Sequence, residues 1–193
     1  MRMGVRCAFV VLVAAGSVPG TLRAQSNALD RGHFAVAGGA SLTSEANKGE
    51  DGRHTAVSLS PSLLYFVHSG IALGGSALFA HTGGHGSSSW SYTVGPQAVV
   101  YFGEESASVR PFVRADVGIG RLGSKSTGTP LGTLTQRVTM SRVGAGAGML
   151  DLLTPSVGIY GEFFYRRDSY SGDADSWNDQ FGVAFGFSMF LGG

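Results

Sequence analysis

From residue 33 onward, bulky apolar residues recur at every second position in eight runs of 10 to 13 residues, separated by turn-forming stretches. The runs are His33 to Leu42, Ala56 to Phe66, Ile71 to His81, Ser91 to Phe102, Arg110 to Arg121, Val138 to Leu150, Val157 to Arg167 and Gln180 to Leu191. A period of two is that of a β-strand, whose successive side chains point to opposite faces. The last run is the clearest. Phe181, Val183, Phe185, Phe187, Met189 and Leu191 share one parity, and Gln180, Gly182, Ala184, Gly186 and Ser188 share the other. Its length matches the roughly 9–11 residues a tilted strand needs to cross a bilayer. Phe190 falls outside the apolar parity.

The same face recurs along the chain, as Val57, Leu59, Pro61, Leu63 and Tyr65, then Val113, Ala115, Val117 and Ile119, then Val157, Ile159, Phe163 and Tyr165. The opposite parity holds Ser58, Ser60, Ser62, Gln97 and Gln180, with Gly74, Gly118, Gly120, Gly144, Gly146, Gly148 and Gly186. Small and polar residues suit the narrow interior of an eight-stranded barrel, which side chains just fill. The expected fold is all-β, an eight-stranded antiparallel up-and-down transmembrane barrel. A soluble barrel would place Phe, Leu and Val from every strand in too small a core and leave a glycine-rich surface. It would also scatter lysine outside, yet the only two lysines, Lys48 and Lys125, fall in expected loops.

Connections alternate in length: Thr43 to Thr55, Thr82 to Trp90, Leu122 to Arg137 and Asp168 to Asp179 are long, whereas Val67 to Gly70, Gly103 to Val109 and Asp151 to Ser156 are short. Long surface loops and short periplasmic turns are the pattern of outer-membrane barrels. Pro61, Pro96 and Pro111 lack the N–H that a paired strand uses, so they are expected at bulges or weakly paired positions. Leu59 to Phe66 and Val94 to Phe102 read as one strand unit used twice.

The start of the chain points to export from the cytoplasm. Arg2 and Arg6 precede an apolar core from Cys7 to about Gly16, and Leu22-Arg23-Ala24 precedes Gln25, which reads as a cleavable secretory signal over residues 1–24. Residues 25–193 are then one barrel domain. The only cysteine leaves with the signal, so no disulfide or thiolate chemistry is expected. Removing Arg2, Arg6 and Arg23 leaves 11 basic against 13 acidic residues, a net of −2, which does not suggest a nucleic-acid partner.

Two sets of charges follow from parity. Arg114, Asp116, Arg142, Glu162 and Arg166 face the barrel interior on neighbouring strands and are expected to plug it as a charge network, because unpaired charges there would be costly. Arg121, Arg137 and Arg167 have the outward parity at the loop ends, where an arginine costs only about 0–1 kcal/mol. There the planar guanidinium can pair with phosphate, giving a basic rim for lipopolysaccharide.

The strand end Gly95-Pro96-Gln97 to Tyr101-Phe102, the stretch Arg110-Pro111-Phe112-Val113 to Gly118-Ile119-Gly120 and the C-terminal strand resemble the small outer-membrane β-barrel proteins, the group of the OmpA transmembrane domain and OmpX-like proteins. The resemblance implies an outer-membrane location, a monomer, contact with outer-membrane lipids and lipopolysaccharide, and the aromatic C-terminal strand as a signal to the barrel-insertion machinery. It implies a structural or surface-interaction role, with a small pore or a lipid A-modifying enzyme as alternatives. His85-Gly86-Ser87 resembles the His-x-Ser pair of lipid A deacylases, but it lies in a loop and lacks the acid that would orient the histidine. His81 and His85 have no third ligand nearby. No catalytic residue, metal or cofactor is expected.

Overall fold

The computed structural model describes residues 28–46, 53–84, 87–104, 106–129, 132–171 and 176–192. The expected signal over residues 1–24, together with Lys48 and His85, lies outside these. Eight strands follow one another: β1 (Phe34–Ala46), β2 (Arg53–His68), β3 (Ile71–Gly84), β4 (Ser87–Tyr101), β5 (Val109–Thr129), β6 (Gly132–Thr154), β7 (Val157–Ser171) and β8 (Ser176–Leu191). Each pairs antiparallel with the next, and β1 pairs with β8, closing a barrel in sequence order. Among the described residues no helix is long and apolar enough to cross a membrane.

The two faces separate as the alternation predicts. Phe163 and Phe181 are 73% and 81% exposed on the outside, and Val57, Leu59, Leu63, Val113, Val117, Ile119, Phe185 and Phe187 are exposed with them. Aromatic pairs mark both edges of this apolar band. Phe34 and Tyr65 meet near the termini with ring centroids 5.0 Å apart. Tyr165 and Phe181 meet at 4.8 Å near the loops, and Trp90 stacks on Tyr92 there at 6.0 Å. Such girdles are where amphipathic rings settle at a membrane interface.

At the end that holds the termini, the chain turns through Gly70 and Gly103, at φ +74 and +100, where a side chain would be strained. At the opposite end, the strands run further than the sequence suggests. The stretch Leu122 to Arg137, expected as a loop, is mostly strand, with Leu122 to Ser126 paired to Val138 to Leu134. The span Asp168 to Asp179 likewise begins and ends in strand, with Asp168 opposite Asn178. The reason is that the outward apolar signal stops at the edge of the bilayer, whereas the hydrogen-bonded ladder continues with polar residues. Pro61 and Pro96 behave as expected. The β2–β3 ladder skips Ser60 and Pro61, and the β4–β5 ladder skips Gly95 and Pro96, so each proline is paired on one side only.

The inside departs from the expected small, polar lining in one region. Near the termini Leu64, Phe66, Val99, Phe112, Leu150, Leu152 and Phe190 all point inward and are buried, with Tyr101 and Tyr160 packed against them. Phe66 is fully buried, its ring 6.3 Å from that of Phe190 and 5.9 Å from that of Tyr101. This explains the parity of Phe190, which is a plug residue rather than a lipid-facing one. Ala28 and Leu29 close the plug from below. Their segment is tied to the first turns by Gly32 N–H donating to Phe66 O and Gly70 N–H donating to Leu29 O, both at 2.9 Å.

Candidate functional site: the charged lumen and the outer rim

Above the apolar plug, the lumen carries its charges on β5, β6 and β7, facing serines on β2 and β3. Arg114, Asp116, Arg142, Glu162 and Arg166 all line the lumen, where short-range contacts sort them into groups that still act on one another through charge. Nearest the loops, Arg142 makes a two-pronged contact with Asp168, Nε donating to Oδ1 at 2.6 Å and Nη2 to Oδ2 at 2.8 Å. Its Nη1 donates to Thr93 Oγ1 at 3.1 Å, so three of its donors are used. Arg142 and Asp168 are direct cross-strand neighbours, and both are buried.

The second group lies nearer the plug. Arg114 Nη2 approaches Glu162 Oε1 at 2.9 Å, and its Nη1 lies 3.9 Å from Asp116 Oδ1. The charges are close but the N–H directions miss. Arg114 Nε and Nη2, Asp116 Oδ1 and Gln97 Oε1 are buried with no hydrogen-bond partner among the described residues. Glycine on β6 provides the space for this group. A Cβ at Gly144 would lie 2.8 Å from both Asp116 carboxylate oxygens, and one at Gly146 would lie 3.0 Å from Glu162 Oε2. The run Gly144 to Gly148 therefore serves steric room beside charged neighbours.

Arg166 differs from the other two lumen arginines. No carboxylate lies within ion-pair distance of it among the described residues, and its guanidinium sits over the Phe164 ring, 4.1 Å from the centroid. A cation over a ring face is attracted by the ring quadrupole, more weakly than by a carboxylate. Asp168 and Thr93 are the lumen partners that the alternation alone does not bring into the network, and Gln97 lines the same space. Asp168 shares the parity of Glu162 and Arg166, a signal that reading it as a loop residue concealed.

The three outward arginines do not occupy one row. Arg121 is exposed opposite Tyr92 on one side and Thr139 on the other, and the row it lies in meets β7 at Ser171. Arg137 is exposed opposite Gly123, over which the Trp90 ring lies. Arg167 lies four positions further from the loop than Ser171 and is engaged. Its Nε and Nη2 donate to Asp179 at 2.7 and 2.9 Å, Tyr165 Oη donates to the same carboxylate at 2.8 Å, and Trp177 lies 4.9 Å from the guanidinium.

The His85 part of the His-x-Ser pair and the His81/His85 pair lies outside the described residues. Ser87 opens β4 opposite Gly84. Among the described residues no three histidine, cysteine or acidic side chains are placed to hold a metal.

No protein-family model matches the chain, and no curated protein matches it in sequence. The architecture, however, has counterparts among solved structures. Ail, the attachment invasion locus protein of Yersinia pestis, aligns with a TM-score of 0.51 at 14% identity, over 83% of this chain and 99% of that one. Neisserial surface protein A aligns with a TM-score of 0.50 at 15% identity, over 82% of this chain and 94% of that one. The fold is thus that of the small eight-stranded outer-membrane β-barrels.

Proposed function

We propose that the protein is an integral outer-membrane barrel with a structural or surface-interaction role and a closed lumen. The observation that carries this reading is the inversion of the usual burial: phenylalanine, leucine and valine ring the outside, while arginine, aspartate and glutamate lie within. In water such an outside would aggregate, whereas in a bilayer it is the stable arrangement. The apolar plug favours closure over the small-pore reading, because it blocks the lumen below the charges. The mature protein is expected to fractionate with the outer membrane and to need detergent for extraction. Recovery as a water-soluble monomer would overturn the reading.

The outward arginines support lipopolysaccharide as the lipid partner at the rim. Arg121 and Arg137 are exposed beside Trp90 and Tyr92, near the interface, where a guanidinium can meet phosphate at little cost. Arg167 contributes less in this reading, since Asp179 already holds two of its donors. Replacing Arg121 and Arg137 with Gln should reduce the gain in thermal stability that added lipopolysaccharide gives the barrel in detergent. Arg167→Gln should reduce that gain less. An undiminished gain in the double variant would remove the rim from the account.

A further inference from the structure

The barrel closes unevenly. β1 and β8 pair over six positions only, from Phe34 with Leu191 to Gly39 with Gly186. On its other side β1 pairs with β2 over all thirteen of its residues, up to Ala46 with Arg53. On its other side β8 pairs with β7 up to Ser176 with Tyr170. Ala40 to Ala46 and Ser176 to Phe185 therefore present backbone edges to the seam with no ladder between them. Within the apolar band, over Ala40 to Leu42 and Phe181 to Phe185, unpaired N–H and C=O groups facing lipid are costly, so such an edge persists where the lumen or a bound group supplies partners.

Different surroundings flank the seam outside and inside. Outside, where the ladder ends, a groove of about 490 Å³ runs between Phe185 and Phe187 on one wall and Leu59 and Pro61 on the other, with Gly38 and Ala40 beneath. Its volume lies in the ~300–1,000 Å³ range of ligand sites. Inside, the Phe164 ring fills the space above Gly182, a residue of the unpaired stretch of β8, and carries Arg166 on its face. A lumen cavity of about 50 Å³ touches Arg166, Tyr160, Ser60 and Ser188, and Ala37 lines both this cavity and the groove. Among the described residues Arg166, with no carboxylate at ion-pair distance and only the longer-range charge of Glu162 and Asp116 to balance it, thus stands inside the wall next to the stretch of β8 that β1 leaves unpaired, where the outer side is apolar.

We propose that the seam between β1 and β8 binds a single-chain fatty carboxylate, its headgroup on Arg166 in the lumen and its alkyl chain passing between the strands into the outer groove. This rests on the reading of the chain as a membrane barrel. A carboxylate fits better than a phosphate because its single charge matches the single guanidinium, whereas a phosphate monoester carries close to two at neutral pH. The alkyl chain fills the gap that the missing ladder leaves.

The test uses the mature barrel in nanodiscs of zwitterionic lipid, with palmitate spin-labelled near its methyl end and the immobilised fraction read by electron paramagnetic resonance. Saturable immobilisation is expected, weakened at least tenfold by Arg166→Gln and less by Arg166→Lys, which keeps the charge but not the fork. A disulfide between Ala40→Cys and Phe185→Cys, positions that would pair if the ladder continued, should abolish binding, and reduction should restore it. Equal immobilisation in wild type, Arg166→Gln and the closed seam would overturn the proposal. So would stronger displacement by hexadecyl phosphate than by unlabelled palmitate, equal displacement by hexadecyltrimethylammonium, or disulfides forming between two barrels rather than within one. Failure to enter nanodiscs at all would instead count against the membrane reading itself.

Discussion

Asp168→Ala is expected to destabilise the barrel by about 3–5 kcal/mol, the cost of removing one partner from a buried ion pair. Arg142 directs two donors at Asp168 and one at Thr93, so the truncation leaves a buried guanidinium with only a hydroxyl to satisfy it. The loss comes mainly from the stranded charge rather than from the net worth of the pair. Adding Arg142→Met to Asp168→Ala should accordingly recover most of the stability, because a hydrophobic replacement of both partners is often neutral. Urea unfolding of the barrel in lipid vesicles measures both. Glu162→Ala should cost less than Asp168→Ala, since Arg114 keeps Asp116 nearby and its contact with Glu162 is poorly directed.

That this pair could be half read from the sequence shows where legibility stops. Arg142 was legible as a lumen residue because it interrupts an alternating strand, Val143, Ala145, Ala147 and Met149 facing one way and glycines the other. Asp168 was not, because Asp168-Ser-Tyr-Ser-Gly172 reads as turn chemistry once the outward apolar signal has ended. The plug was hidden for the opposite reason. In Leu63-Leu64-Tyr65-Phe66, Val99-Val100-Tyr101-Phe102 and Met189-Phe190-Leu191 both parities are apolar, so alternation no longer distinguishes lipid from lumen. Pairing length at the seam leaves no mark at all, since it depends on where two distant segments meet.

Phe66→Ala is expected to cost about 3–5 kcal/mol, the range for truncating a fully buried aromatic side chain. Phe66 lies between Tyr101 and Phe190 with no exposed surface, and its backbone N–H donates to His33 O at 2.9 Å, so little can collapse into the space. The same unfolding titration reads the loss. Closure should survive it. Phe112, Leu150, Tyr160 and the charged groups above still fill the lumen, so wild type and variant alike should give no steady openings in planar bilayers. Regular single-channel steps from the wild type would favour a pore. Stability unchanged within about 1 kcal/mol would mean that the apolar cluster is not a packed core.

The central claim is that one parity of every strand faces lipid and the other faces a closed lumen. Its most direct measurement is a cysteine scan along β2, each cysteine carrying a nitroxide, in the mature barrel reconstituted in lipid. Labels at Val57, Leu59, Leu63 and Tyr65 should be relaxed strongly by oxygen, which concentrates in the bilayer, and weakly by a water-soluble nickel chelate. Labels at Ser58, Ser60, Ser62 and Leu64 should show low access to oxygen. A period of two with that phase is the predicted result; the opposite phase, or nickel access at the leucine positions, would contradict it.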